Sequence, residues 1–334
     1  MNLSFTNPVE MSEKIDIAIL GGGFSAEREI ALQSAQSMYD WLQLTPYEPW
    51  LIDVRGRLWM ALVEGKEYRV DLNDFSIPLP EKRVQLKAAL LAIHGTPGEN
   101  GLLQGYLETM GIPFTSGSTF TEALSFHKKA CKLYLQDLVP MAKDVQIILR
   151  RQADVYQLER ELGYPMFVKP NTNGSSVGVT KAKDRHDLVQ GLKRAFGLGN
   201  DVLVERAISG TEVSCGLLAI NDKITVLPIT ELVSPAEFFD YQTKYDGSTQ
   251  EITPARISPA AADRIASASR AIYRRLQCRG LVRIDYIVHD DTPYFLEINT
   301  VPGMTKESIV PKQVKAMGQT MPEFLSLILH DILS

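Results

Sequence analysis

The chain has 334 residues, 45% of them hydrophobic and 22% charged, with a formal net charge of −5 and a pI near 5.7. That length suits two or three domains with a large buried core, and the acidic balance argues against nucleic-acid binding, which needs a basic surface. No apolar run reaches the roughly 18 residues of a membrane span, Met1 to Lys14 lacks a signal-peptide core, and Cys131, Cys215 and Cys278 are too widely spaced for a zinc site or a disulfide framework, so they are expected reduced in a cytoplasmic protein.

Ile15 to Leu20 forms a short apolar strand that runs straight into Gly21-Gly22-Gly23, and a helical pattern follows from about Ser25 to Leu42. Residues 47–54 predict a second strand and 87–93 a third, which ends at His94-Gly95. A helix over 101–110 and the extended Ile112-Pro113-Phe114 come next. Strands alternating with helices predict a parallel sheet with helices on its faces, closing near Thr115–Thr119. The glycine run departs from a dinucleotide fingerprint: its sixth position is Ala26, and Asp53 is the nearest acidic residue at the end of the second strand. It could simply bend the backbone, or present Glu27 at a helix start, where a carboxylate could hold a substrate ammonium. The run from His94 to Gly101 (His-Gly-Thr-Pro-Gly-Glu-Asn-Gly) sits at the carboxyl edge of a parallel strand, where open α/β sheets bind ligands. Its competing reading is a Gly/Pro turn with an incidental histidine.

Residues 120–138 and 154–162 predict helices, the second stopped by Gly163-Tyr164-Pro165. Met166–Lys169 is a strand ended by Pro170, and 201–205 is a strand carrying Glu205. Between them, Gly174-Ser175-Ser176-Val177-Gly178 is a loop whose small residues would let backbone N–H groups approach phosphate oxygens. Lys169 just upstream is a fitting phosphate ligand. Residues 213–220 and 223–228 flank Asn221-Asp222 as a hairpin. Residues 234–252 are long, polar and aromatic, and a loop of that length in a compact domain is functional or disordered. Residues 258–277 are helical, and Met321-Pro322 opens a last helix.

The densest chemistry lies in Arg283-Ile284-Asp285-Tyr286 and Leu296-Glu297-Ile298-Asn299, two extended segments joined across the turn residues Asp290 to Pro293. Alternation puts Arg283 and Asp285 on one face and Glu297 and Asn299 on one face, with Ile284, Tyr286, Val288, Leu296 and Ile298 opposite. If the hairpin pairs with its polar faces aligned, Asp285, Glu297 and Asn299 converge. Hard oxygen ligands at that density suit Mg²⁺, which takes a few carboxylates plus substrate phosphates. Arg283 beside them suits charge that develops in phosphoryl or acyl transfer.

Taken in order, these segments resemble the D-alanine–D-alanine ligases of the ATP-grasp superfamily, from Ile17 to about Gly318. The motifs are Gly21 to Glu29, His94 to Gly101, Phe-Val-Lys-Pro (167–170), Gly174 to Gly178, Glu205 to Val213, Phe-Phe-Asp-Tyr-Gln-Thr-Lys-Tyr (238–245), Arg-Ile-Asp (283–285), and Leu296 to Thr305 with Ser308. The resemblance implies a three-domain α/β (α+β) ATP-grasp fold: an N-terminal α/β unit over 1–117, a central unit over 118–206 and a C-terminal unit over 207–334. ATP would lie between the last two. Lys128 and Lys169 would hold its phosphates, Glu205 and the Ala207 backbone its adenine, and Glu212 its ribose. Lys244 would reach the γ-phosphate, and Asp285, Glu297 and Asn299 would bind two Mg²⁺ or Mn²⁺ ions. Glu27, with His94 nearby, would take the ammonium of a first D-alanine, and Ser308 the carboxylate of a second. Arg283 and the Gly303 N–H would form an oxyanion hole, and Ser175 and Tyr245 would join Glu27 in a chain that closes the loop over the site. The family implies a cytoplasmic homodimer making a peptidoglycan precursor, with room for an activating monovalent cation.

Two departures from the family pattern stand out: His127 where aspartate is frequent, and Phe239 where an aromatic hydroxyl is frequent. Tyr245 argues against a D-alanine–D-lactate ligase, the full set of metal and phosphate residues against a non-catalytic nucleotide binder, and the imperfect glycine fingerprint against a nicotinamide dehydrogenase.

Overall fold

From Ile17 to Gly22 every residue of β1 (Ile15–Gly22) is buried, as a near-continuous apolar run requires of a strand covered on both faces. It pairs parallel with β2 (Tyr47–Arg55) and with β7 (Ala88–Leu91). The computed structural model describes residues 14–172, 174, 177–199, 201–234 and 249–334. The expected parallel sheet therefore occupies the centre of the first unit. Two strands not foreseen from sequence, β3 (Leu58–Val63) and β4 (Lys66–Arg69), extend it antiparallel to give the order β4-β3-β2-β1-β7. A small hairpin of β5 (Ser76–Pro78) and β6 (Arg83–Gln85) stands apart. Helices α1 (Arg28–Leu42) and α2 (Leu102–Thr109) flank the sheet.

The second sheet is antiparallel throughout, in the order β10-β9-β11-β8, from β8 (Asp144–Ile147), β9 (Met166–Pro170), β10 (Thr180–Ala182) and β11 (Val202–Arg206). Its core meets α5 (Val155–Leu162) and α6 (Arg185–Phe196) through Leu158, Leu162, Leu188 and Leu192. The third sheet is built from β12 (Thr211–Ile220), β13 (Lys223–Val226), β14 (Thr230–Val233), β15 (Gln250–Ile252), β16 (Leu281–His289) and β17 (Thr292–Asn299). Both of its hairpins turn on two residues with positive φ, Asn221-Asp222 at 48° and 60° and Asp290-Asp291 at 46° and 59°. That is the turn whose twist matches paired strands, and Asn and Asp tolerate it at modest cost.

The helix expected over 120–138 is two helices, α3 (Thr119–Phe126) and α4 (Lys128–Leu135), broken at His127. The backbone there is extended, and the His127 ring Nδ1 accepts the Ala130 N–H at 3.1 Å. Histidine thus serves as the N-cap acceptor that an aspartate would otherwise supply. Cys131, Leu135 and Val139 pack into the core beneath the third sheet, together with Ile265 and Ile272 of α7 (Pro259–Arg275). At the end of the chain, α8 (Ile309–Ala316) lies on the third sheet, while α9 (Met321–Leu333) sets Phe324, Leu325 and Ile328 against Ile17, Ile19 and Leu90 of the first. That apolar seam fixes the first sheet relative to the third.

Candidate active site

β16 and β17 set Asp285 directly opposite Glu297 and Arg283 directly opposite Asn299. Directly paired residues share a face, so the hairpin pairs with its polar faces aligned and the four polar side chains converge. One expectation fails. The register slips between Asp285 and Tyr286, so Tyr286 pairs with Phe295 and Leu296 is the extra residue of a bulge. Phe295 takes the core position expected of Leu296, edge-on to Tyr286 with ring centroids 6.4 Å apart, and Leu296 lines a cleft instead.

Asp285 is buried and held from three sides. Arg283 reaches it with Nε and Nη2 at 2.9 and 2.8 Å, Asn299 Nδ2 donates at 2.9 Å, and the Ser214 hydroxyl adds a further bond. Burial disfavours the charge on Arg283, but the Asp285 carboxylate outweighs it and raises the guanidinium pKa above its usual value. Lys128 Nζ lies 3.6 Å from the Glu297 carboxylate. The hairpin therefore carries alternating charges around one polar patch.

Three cavities meet on that patch. A cleft of about 640 Å³ opens between the second and third sheets, lined by Lys169, Glu205, Ala207, Glu212, Leu296 and Arg283. A cavity of about 1040 Å³ lies on the side of the first sheet, lined by Glu27, His94, Gly303, Ser308, Asn299 and again Arg283. A small cavity between them is lined by Lys128, Glu297, Asn299 and Glu99. Arg283 is thus common to both large cavities, and a reacting group could pass between them beside Asp285 and Glu297.

In the cleft, Lys169 and Lys132 both pair with Glu205, Lys132 at 2.5 Å. Burial alone would raise this carboxyl, but the two lysines outweigh it and lower its pKa to about 2. Asp144 holds Lys132 at 2.8 Å from the other side. The groups assigned to opposite ends of a nucleotide, Lys169 and Glu205, therefore touch each other here. The Ala207 N–H donates to the Pro165 carbonyl at 3.0 Å, so a contact from Ala207 to a base would fall to its carbonyl.

In the larger cavity, Glu27 is the N-cap residue of α1, directly after the glycine turn. A Cβ on Gly22, whose φ is +90°, would lie 2.4 Å from Asp53 Oδ1, and Arg28 grips Asp53 with two bonds of 2.7 Å. Asp53 is thus committed to a structural ion pair, which leaves the glycine turn as the device that presents Glu27. A Cβ on Gly174 would lie 2.7 Å from Glu27 Oε2, so the backbone of that loop rests on the carboxylate. His94 is buried, with Nδ1 3.0 Å from the Val301 carbonyl and Nε2 3.3 Å from the Ser34 hydroxyl. A carbonyl only accepts, so Nδ1 carries a proton, and in the neutral ring Nε2 accepts from Ser34. Ser34 Oγ also accepts the Met304 N–H at 3.2 Å. These bonds tie α1 and the loop after β7 to the segment 301–308. Ser308 stands at the N-cap position of α8, and its hydroxyl accepts the Thr305 N–H at 3.0 Å instead of capping the helix.

Comparison with known proteins decides the family. A model of the D-ala D-ala ligase N-terminus matches residues 16–117, and one of the D-ala D-ala ligase C-terminus matches residues 131–330. The D-alanine–D-alanine ligase of Porphyromonas gingivalis is 42% identical over 319 residues, covering 94% of this chain and 97% of that one. This chain belongs to the D-alanine–D-alanine ligase family. The crystal structure of D-alanyl-alanine synthetase A from Vibrio cholerae superposes with a TM-score of 0.85 at 27% identity, covering 96% of this chain and 99% of that one. The Bacillus anthracis D-alanine–D-alanine ligase complexed with ATP superposes with a TM-score of 0.76 at 26% identity, covering 96% and 97%. The ATP-grasp fold is the one that the motifs imply.

Of the residues assigned to this ligase from its sequence, Ser175, Lys244 and Tyr245 lie outside the described residues, as does Phe239. The others line the three cavities. Among the described residues no group of three His, Cys, Asp or Glu side chains gathers into a metal cage. Two carboxylates and one amide at paired register positions still fit a magnesium ion, whose remaining ligands come from phosphate oxygens and water. Sequence reasoning missed Lys132 and Asp144, which hold Glu205, and gave no role to Glu99, whose carboxylate accepts the Gly95 N–H at 2.7 Å and lines two of the cavities. Lys132 stands one turn from Lys128 on α4, a spacing that could have marked it. Asp144 carried no local signal.

Proposed function

We propose that the chain joins two D-alanines at the expense of ATP, releasing ADP and phosphate, and so supplies a peptidoglycan precursor in the cytoplasm. The observation that carries this reading is Arg283 standing between two cavities of different character, beside the Asp285–Glu297 pair. One cavity has the lysines and the carboxylate that a nucleotide needs. The other has a carboxylate at a helix start for an ammonium, and a serine at a second helix start for a carboxylate.

ATP occupies the cleft, its adenine on Leu296 and beside Glu205, its ribose at Glu212. Phosphate oxygens draw Lys169 away from Glu205, while Lys132 and Asp144 keep that carboxylate charged and in place. Lys128 faces the transferring phosphate, and the family resemblance assigns Lys244 to the same group. Glu27 binds the ammonium of the first D-alanine, which directs its carboxylate toward Arg283. That carboxylate attacks the γ-phosphorus and becomes an acyl phosphate. Two magnesium or manganese ions held by Asp285, Glu297 and Asn299 would neutralise charge on the phosphate oxygens. Ser308 binds the carboxylate of the second D-alanine and turns its amine toward the acyl carbonyl. Attack puts charge on the carbonyl oxygen, and Arg283 with the Gly303 N–H answers it. Collapse of the adduct expels phosphate and leaves the dipeptide. An acyl phosphate hydrolyses readily, so Ser175, Tyr245 and Glu27 act as the closure that keeps water out. Residues 1–117 carry the first amino acid, 118–206 cover the nucleotide and 207–334 carry the reacting groups, in a homodimer.

Phosphate release from ATP is the test, with D-alanine alone and with D-serine or D-lactate as competing second substrates. We expect release to require D-alanine, with D-lactate giving none of the mixed product. ATP turnover indifferent to D-alanine would overturn the reading.

A further inference from the structure

One buried carboxyl has no part in that scheme. Glu122, in the first turn of α3, is fully buried and lies at the junction of three segments. One oxygen accepts the Gly117 N–H at 2.8 Å. The other bonds to the hydroxyl of Thr300, the residue directly after Asn299. The surroundings are shaped to admit it. A Cβ on Gly117 would lie 2.9 Å from Glu122 Oε1 and 2.7 Å from Thr121, so glycine is required there by contact, since its φ is not positive. Ser116 next to it holds φ at +88°, a strained value for a residue with a side chain. Its hydroxyl accepts from Gln104, which also donates to the Gly98 carbonyl at 2.5 Å. Glu122 therefore links the exit from the first sheet, the loop carrying Glu99 and the end of β17.

We propose that Glu122 is a positioning residue: through Thr300 it fixes the end of β17, and with it Asn299, against the strained connection at Ser116-Gly117. Burial pushes its carboxyl up to about 8, which favours the neutral acid near pH 7, with Oε1 accepting the Gly117 N–H and Oε2 hydrogen-bonded to the Thr300 hydroxyl. The titratable groups that act on it are Glu99, from the loop before α2, and Cys278, ahead of β16. Neither is a cation: Glu99 favours the neutral acid, and burial keeps the Cys278 thiol uncharged. Asn299 lines the amino-acid cavity and the small cavity, not the nucleotide cleft. Loss of the tie therefore disturbs turnover and leaves the contacts offered to the base and ribose by Glu205, Ala207 and Glu212 as they were.

This inference rests on the ligase reading, which wild-type turnover in the same assay checks separately. The experiment compares Glu122→Gln, Glu122→Ala and Thr300→Val in full-length protein by kcat, by KM for ATP and for D-alanine, and by pH profile. Glutamine copies a neutral donor and acceptor, so we expect Glu122→Gln to keep kcat within about threefold at pH 7. We expect wild-type kcat to fall above about pH 8 and Glu122→Gln to escape that fall. Glu122→Ala and Thr300→Val should each lower kcat at least tenfold, with a smaller change in KM for ATP. Should Glu122→Ala fail to fold, Thr300→Val and the glutamine variant decide. Full kcat in Thr300→Val, or parallel pH profiles for wild type and Glu122→Gln, would overturn the proposal.

Discussion

Replacing Arg283 by methionine separates what the arginine does for the fold from what it does for the reaction. Two charge-assisted hydrogen bonds to Asp285, at 2.9 and 2.8 Å, disappear. The carboxylate stays behind in a buried site, without its guanidinium and with neutral donors from Asn299 and Ser214. Breaking one side of a buried ion pair costs about 3–5 kcal/mol, because the remaining charge is uncompensated. The double variant Arg283→Met with Asp285→Asn leaves no charge there, and apolar or neutral replacement of a whole pair is often close to neutral. We therefore expect the single variant to lose most of that stability in urea unfolding followed by circular dichroism, and the double variant to recover most of the loss. Turnover should follow a different pattern. Removing one transition-state donor costs about 10²–10³ in kcat, so neither variant should turn over at more than about a hundredth of the wild-type rate, while both still bind ATP. A single variant as stable as the wild type would refute the buried-pair account, and near-normal kcat would refute the oxyanion role.

Glu205→Gln should raise KM for ATP about tenfold while leaving KM for D-alanine unchanged, since Glu205 lines only the nucleotide side and a lost charged hydrogen bond is worth about 1.5–3 kcal/mol. The same carboxyl has a pH signature. Its folded pKa, about 2, lies below the ordinary 4.5, so its contribution to stability is complete above about 4.5 and fades as pH falls toward 2. Acid titration should therefore show the stability gap between wild type and Glu205→Gln shrinking across that window; a gap independent of pH would count against the lysine pairing. Ser308→Ala should raise KM for the second D-alanine about tenfold, the worth of one hydrogen bond to a charged group, and leave ADP formation from ATP and the first D-alanine intact. An equal rise for both amino-acid sites would show that the two subsites are misassigned.

The strands and hairpins that carry the site were legible because their signals are local. Alternation puts Arg283 with Asp285 and Glu297 with Asn299, and the register Asp285–Glu297 and Arg283–Asn299 meets the condition that the polar faces align. The bulge at Leu296 was not legible: nothing in the run Tyr-Phe-Leu-Glu marks where one residue is left unpaired. The edge strands β3 and β4 and the helix α8 carry weak local signals, because the strands are short and partly exposed and the helix is only 8 residues long. The ties that make the site one object join residues far apart in sequence. His94 to Val301, Lys132 to Glu205 and Glu122 to Thr300 are separated by 207, 73 and 178 positions, and no pattern in a single sequence encodes such pairings. The role of His127 also needed the structure, since a ring nitrogen acting as an N-cap depends on the break between α3 and α4.

The most direct measurement is the fate of oxygen. D-alanine labelled with ¹⁸O in its carboxylate is incubated with ATP and Mg²⁺, and the released phosphate is analysed by mass spectrometry. If the first carboxylate attacks the γ-phosphorus, one labelled oxygen passes into each phosphate and the peptide bond forms at the carbon it left. Phosphate that carries no label while the dipeptide accumulates would contradict the account.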